Sequence, residues 1–373
     1  MKKAIRILQV GLASNLGGVE SFVINIYRHI DRQLVQFDFL IEHDRKSIPF
    51  EAEIIKMGGH IYREYYKVSE RKEPGAKSIS NFFDMHPEID GVHLNLNCIN
   101  TWFRVLKEAG KRGLPIRILH SHNSNYMHKQ TWKEKIYEVY VKHTMNKYAT
   151  HFLACSKEAG EWMFAKREFT VVNNGIDVNK FGFSQKTRME IRNQYHIRQD
   201  DIVIGFAGSF NYQKDPTYVI DILYELIKEN SGYKLLMLGQ GKLEEKIRTQ
   251  IQELNLEEAV IMPGNVINVN EYMQAMDCFV LPSRFEGFGI VLLEAQASGL
   301  ECFSTKNTVP ESVNITKHVH FIKKEEGPAR WAEVIRHSPL IRYNKNKEIK
   351  QAGFSIEDTA KQLENLYIQG GEK

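Results

Sequence analysis

The chain is short of cysteine, of net charge and of long apolar runs, and each shortage excludes something. Four cysteines in 373 residues, Cys98, Cys155, Cys278 and Cys302, stand far apart, with no C-x-x-C pair and no histidine at metal spacing. That excludes a disulfide framework and leaves the thiols as small, reduced core residues. A formal charge of +4 is small for the length, so bulk charge makes no case for a nucleic-acid partner. No segment approaches the ~20 apolar residues that cross a bilayer. The opening "MKKAIRILQVGLAS" imitates a signal peptide, but Arg6 interrupts its apolar run and a glycine-rich turn follows, so it reads as a first β-strand. There is no internal repeat and no low-complexity tract. A cytoplasmic globular protein is expected.

What is present is 42% hydrophobic and 26% charged sequence, at a length that favours two domains. Short apolar, β-branched segments recur, each followed by a helix-like stretch. In the first half they are Ala4–Val10, Phe37–Ile41, Gly91–Leu96, Ile116–His120, Thr150–Ser156 and Phe169–Asn174. The rhythm breaks at "NNGIDVNKF" (Asn173–Phe181) and resumes with Ile202–Ser209, Tyr233–Gly239, Ala259–Gly264, Asp277–Ser283 and Glu301–Thr305. Strands alternating with helices mean βαβ units and parallel sheets. The pattern predicts two doubly wound α/β domains, 1–180 and 181–345, with 346–373 a C-terminal helix crossing back to the first. Ligands of such sheets bind beyond the carboxyl ends of the strands, which predicts a cleft where two such ends face each other.

The stretch "SRFEGFGIVLLEAQASGL" (Ser283–Leu300) follows a predicted strand. Glu286 falls on the loop and Glu294 a full turn inside the next helix, which Gly299 closes. Eight residues of helix span ~12 Å, too far for two acids to flank one scissile bond. The spacing suits two acids that hold different parts of one elongated ligand; a solvated loop acid and a helix-face acid are the alternative. The backbone N–H groups of Phe288, Gly289 and Ile290 open the helix and favour an anion. Upstream, Gly17 and Gly18 follow the first strand and open a helix at Val19, where a phosphate can approach the backbone; a plain tight turn is the other reading. Lys214 lies in a loop after a strand, where an ammonium can meet a diphosphate and stabilise it as it leaves; an idle exposed lysine is the other reading. His120 and His122 end a strand, and alternation points His122 away from Leu119.

The pattern E-x7-E in "EGFGIVLLE", followed by "AQASG", resembles the signature of family-4 retaining glycosyltransferases with the GT-B fold, notably those of bacterial capsular and exopolysaccharide synthesis. Four more segments match in order. "LGGVESFVINIYRHID" (Leu16–Asp31) resembles the family's first glycine loop, and "LHSHNSN" (Leu119–Asn125) its acceptor-side histidine loop. "NNGIDVNKF" resembles its hinge and "GSFNYQKDP" (Gly208–Pro216) its phosphate-binding loop.

The resemblance implies a donor held through Lys214, Phe288–Ile290 and Glu294, with Glu286 orienting the sugar and His122 on the acceptor side. "PGNVINVNEYM" (Pro263–Met273) is similar to the family's base-binding turn, with backbone near Asn265 and Val266 meeting the nucleobase. One position departs: relatives usually carry arginine where this chain has Ser209. Arg284, beside Glu286, is a candidate to compensate, and reduced activity is the other outcome.

Residues Arg104–Thr150 hold ten Lys or Arg against three Glu, interleaved with Tyr126, Trp132, Tyr137, Tyr140 and Tyr148. Such a mixture suits an anionic membrane surface and a lipid-linked acceptor; a solvated helix face is the alternative. The expectation is a retaining transferase that moves a hexose-type sugar from a nucleotide diphosphate donor, UDP-linked, to a saccharide acceptor, lipid-linked, on the inner face of the plasma membrane. With no D-x-D pair, neither metal nor cofactor is expected. A nicotinamide oxidoreductase needs a G-x-G-x-x-G turn that neither sheet supplies. A two-lobed sugar- or nucleotide-binding protein and a catalytically impaired transferase remain open.

Overall fold

The computed structural model describes residues 3–12, 17–42, 48–65, 79–96, 102–125 and 131–371. Cys98 and Tyr126 lie outside the described residues. The chain forms two compact units, Met1–Gly175 with Ile356–Lys373, and Ile176–Ser355. The first carries a parallel sheet of β1 (Ile5–Val10), β2 (Val35–Glu42), β3 (Ile61–Tyr65), β4 (Gly91–Leu96), β5 (Ile116–Ser121), β6 (His151–Ala154) and β7 (Thr170–Val171). Their spatial order is β3-β2-β1-β4-β5-β6-β7. The second carries β8 (Ile202–Ala207), β9 (Tyr233–Leu238), β10 (Val260–Gly264), β11 (Cys278–Leu281), β12 (Glu301–Thr305) and β13 (Val319–Ile322), in the order β10-β9-β8-β11-β12-β13.

Strands of a sheet covered on both faces read as continuous apolar runs. β8, β9 and β11 do so and are almost wholly buried. β4 is buried throughout as well, yet its sequence includes His93 and Asn95. Those two and Gln9 of β1, each 1% exposed, are among the buried polar residues near the centre of the first sheet, as are His120 and Ser121 of β5.

The helix Ile356–Gly371 belongs to the first unit, where it packs on the helix Gly18–His29 and on β1, β2 and β5. Its spacing puts Ala360, Leu363 and Tyr367 on the buried face. Tyr367 meets Phe37 edge-on at 5.7 Å, and Phe37 stacks on Tyr27 at 5.1 Å. Burying such side chains contributes roughly 1.5–3 kcal/mol each.

Three expectations need correction. The boundary lies at 175/176 rather than at 180. Asp177 caps the short helix Val178–Phe181, whose carbonyls at Val178 and Lys180 accept from Asn346 and Asn270 and tie it to the second unit. The same bonds keep the helix Asn346–Gln351 with that unit, so the return to the first begins at Ile356 rather than 346. β3 and β13 were not anticipated. Both are edge strands, where polar side chains are tolerated, and "IYREY" and "VHFI" lack the apolar run that marks the others.

Candidate functional site

In each sheet the strand order reverses once, between β1 and β4 and between β8 and β11. Such switch points open a crevice at the strands' carboxyl ends. In the second unit, the loops that follow β8 and β11 are those carrying Lys214 and Glu286.

The loops after β8, β9 and β10 are bonded in series. Gly208 N–H donates to Leu238 O at 3.0 Å and Gly239 N–H to Gly264 O at 2.8 Å. Phe210 N–H donates to Gln240 O, and Leu243 N–H returns to Phe210 O. The loops approach so closely that a Cβ on Gly239, whose φ is +140°, would lie 2.0 Å from Gly208 O. This fixes the platform on which Lys214 stands.

Asn211 Oδ1 accepts from Lys214 N–H at 3.0 Å, and the lysine stem crosses Gly208. Its ammonium reaches Glu286 Oε1 at 2.7 Å. Glu286 is 5% exposed, and its N–H donates to Thr308 O at 2.9 Å. The contact aims the lysine and the buried carboxyl group into one place. Ser209 adds no cation. Arg284 pairs with Asp215 at 2.6 Å and lies over the Tyr212 ring at 4.5 Å, so its charge is already committed to that carboxylate. Lys324 also donates to Asp215.

The helix Ile290–Ala297 starts beside this pair, with Gly289 as N-cap and no side-chain cap. Phe288 turns its ring inward to stack on Phe354 at 5.1 Å, which leaves its backbone as the part that can serve a ligand. Gly299 follows the C-cap Ser298.

Glu294 lies one turn inside the helix, and burial pushes its carboxyl up to about 7 against the pull of Lys180 and Lys214. An acid whose pKa rises on folding is neutral in the folded chain where the unfolded chain is already ionised. Its burial costs nothing below the unfolded value of 4.5 and costs progressively more as pH rises towards about 7. Glu294→Gln removes that cost, so the variant gains stability over the parent as pH rises from 5 to 8. Urea midpoints at both pH values check this, and a difference that stays constant contradicts it.

In the first unit the helix Gly18–His29 has Gly17 as N-cap and begins one residue before Val19. Glu20 is 4% exposed, and its carboxylate folds back to 2.8 Å from where a Gly17 Cβ would stand. This end of the helix already carries an acid, and a phosphate there would have to displace it.

The two histidines differ sharply. His120 has no exposure; its Nδ1 meets His93 Nε2 at 3.1 Å, and His93 Nδ1 meets the Tyr367 hydroxyl at 2.7 Å. His122 stands at the end of β5, partly buried, with Nε2 3.0 Å from Asn95 Oδ1. Burial pushes the imidazoles of His93 and His122 down to about 3, so both are neutral. Phe22 packs at 5.5 Å from His120 and 5.3 Å from His122, which joins the glycine-loop helix to the histidine loop.

Asn265 is exposed and Val266 partly buried in the turn after β10. The structure therefore brings Ser209, Lys214, Asn265, Val266, Glu286, Phe288, Gly289, Ile290 and Glu294 to one end of the second sheet. It places Gly17, Gly18 and His122 at the corresponding end of the first. Sequence reasoning missed Asn95, Gln9 and Lys180. The alternation of His93 and Asn95 in an otherwise apolar strand was the available signal for the first two.

Among the described residues, no cluster of three or more His, Cys, Asp or Glu could hold a metal ion, and no helix is long and apolar enough to cross a membrane.

Residues 187–354, which include Lys214, Glu286 and Glu294, match the family model of glycosyl transferases group 1. The putative glycosyltransferase EpsF of Bacillus subtilis is 28% identical over 380 residues, covering 99% of this chain and 97% of that one. An Escherichia coli UDP-Gal:alpha-D-GlcNAc-diphosphoundecaprenol alpha-1,3-galactosyltransferase is 27% identical over 138 residues, 36% of each chain. The crystal structure of Anabaena Alr3699/HepE in complex with UDP and glucose superposes with a TM-score of 0.72 at 16% identity, covering 99% of this chain and 97% of that one. At that identity the likeness carries the fold. Taken with a relative matched along nearly its whole length, these findings show that the chain has the GT-B fold and that its second unit is similar to the glycosyl transferases group 1.

Proposed function

We propose that this glycosyltransferase moves a sugar from a UDP-sugar to a saccharide acceptor, lipid-linked, in capsule or exopolysaccharide synthesis. The observation that carries the donor side is the 2.7 Å Lys214–Glu286 pair at the β8/β11 switch point, next to an uncapped helix start. The diphosphate lies over the amides of Phe288, Gly289 and Ile290 with Lys214 on its oxygens. Glu286 accepts from hydroxyls of the sugar and Glu294 from the ribose, while backbone at Asn265 and Val266 meets the base. Gly17, Gly18 and His122 serve the acceptor.

Transfer proceeds with retention. The acceptor oxygen bonds to the anomeric carbon on the face from which the phosphate oxygen leaves, and that oxygen takes the acceptor's proton. Lys214 and the helix start stabilise the departing charge, so the reaction runs without a divalent ion or cofactor. Burial pushes His122 down to about 3, which makes it a weak base, so it serves as a hydrogen-bond partner.

A thermal-shift screen against UDP, GDP, ADP and their sugars, followed by donor hydrolysis with and without chelator, tests this reading. UDP and UDP-sugars stabilise the chain, and hydrolysis persists in chelator. A shift with free sugar and none with any nucleotide would instead make it a sugar-binding protein.

The helix Trp132–Tyr148 carries the features that suit a lipid-linked acceptor. Trp132, Ile136, Val139 and Tyr140 are 68, 63, 71 and 51% exposed, and their spacing puts them on one face. Lys133 and Lys135 are exposed beside them. An apolar stripe flanked by cations suits an anionic membrane surface, and the acceptor of the matched Escherichia coli enzyme is a diphosphoundecaprenol. The chain is therefore peripheral on the cytoplasmic face of the membrane. It co-sediments with phosphatidylglycerol vesicles and not with phosphatidylcholine vesicles, and Trp132→Ser with Ile136→Ser weakens that binding by roughly tenfold or more. Equal binding by parent and double variant contradicts the assignment.

A further inference from the structure

We propose that Asn95 is a positioning residue: it fixes the Nε2–H tautomer of His122 and thereby leaves Nδ1 as the acceptor for a hydroxyl of the saccharide that the first unit binds. This rests on the reading of the histidine loop given above.

The tautomer follows from the orientation of one buried amide. Asn95 is 1% exposed at the carboxyl end of β4, beside the switch point of the first sheet. Its Nδ2 donates to Gln9 Oε1 at 3.0 Å and lies 3.4 Å from His93 O and 3.5 Å from Val10 O. All three partners are oxygens, and two are main-chain carbonyls that can only accept. A reversed amide would set its own oxygen against all three. Oδ1 therefore faces His122 Nε2 at 3.0 Å, and that nitrogen must carry the hydrogen. A neutral imidazole has one N–H, so Nδ1 presents a lone pair. No described residue is recorded bonding it.

The surroundings hold this arrangement in place. Gly11, at φ +98°, lets the first loop pass so near that a Cβ there would stand 2.1 Å from Asn95 O. His122 N–H donates to Leu96 O at 2.9 Å, and Phe22 packs against the ring. Burial keeps the ring neutral. His120, fully buried and bonded to His93, offers no accessible nitrogen to a ligand.

Two-bond proton–nitrogen spectra of histidine-labelled full-length protein read the tautomer directly. The parent carries the His122 proton on Nε2. Asn95→Leu, similar in volume, populates both tautomers, lowers kcat for transfer about tenfold and leaves UDP affinity unchanged, since UDP is held by the other unit. A proton on Nδ1 in the parent overturns the proposal even if the leucine variant fails to fold. So does an Asn95→Leu variant that transfers at the parental rate. If the parent's proton is on Nε2 but His122→Ala transfers normally, the histidine loop is not part of the site; the acceptor role falls, while the tautomer assignment stands.

Discussion

Lys214→Ala lowers sugar transfer by about 10²- to 10³-fold, the loss expected when one preorganised positive group is removed from a developing anion. The lysine is held at both ends. Asn211 Oδ1 fixes its backbone at 3.0 Å and Glu286 its ammonium at 2.7 Å. Little reorganisation is then needed when the diphosphate leaves. Ser209 supplies no charge and Arg284 is paired with Asp215, so no neighbouring guanidinium takes over. Lys214→Arg restores part of the loss.

Because Glu286 also loses its cationic partner in the alanine variant, the double variant with Glu286→Gln falls by less than the product of the single losses. Steady-state transfer with a UDP-sugar measures all four proteins. A Lys214→Ala variant within threefold of the parent would remove the lysine from the mechanism.

Gly239→Ala destabilises the chain by about 2–5 kcal/mol, from ~1–2 kcal/mol of left-handed backbone strain and ~1–3 kcal/mol of steric overlap. The overlap is with Gly208 O at 2.0 Å. Main-chain oxygen cannot swing aside as a side chain would, so the loops after β8 and β9 must separate and the Lys214 platform with them. Gly264→Ala is the control. Its φ is +84° but no atom lies within 4 Å of the added Cβ, so it incurs the strain without the overlap. Urea unfolding of both variants measures the difference. Equal losses would mean that the close loop approach contributes nothing.

Much of this was legible in the sequence, for a physical reason. β8, β9 and β11 are covered on both faces, so their sequences are nearly continuous apolar runs, and the following loops carry glycine and polar residues where ligands bind. Lys214 and Glu286 could be assigned to loops because of the strand before each.

Their 2.7 Å contact was not legible. It depends on β8 and β11 being neighbours, which sequence order does not state. The same limit hid the Asn95–His122 bond, since its partners come from β4 and the end of β5. The edge strands β3 and β13 escaped because an edge position relaxes the demand for apolar residues. The 175/176 boundary escaped because a short helix capped by Asp177 holds Ile176–Phe181 to the second unit through side-chain amides far along the chain.

The most direct test of the donor site is a calorimetric titration of the full chain with UDP, for the parent and for Glu294→Ala. The parent binds one UDP, more tightly at pH 8 than at pH 6, because ribose hydroxyls favour the ionised carboxylate over the neutral acid that burial maintains up to about pH 7. The variant binds at least tenfold more weakly and loses the pH dependence. UDP binding that is equally tight in both proteins would contradict the placement of the nucleotide on the helix Ile290–Ala297.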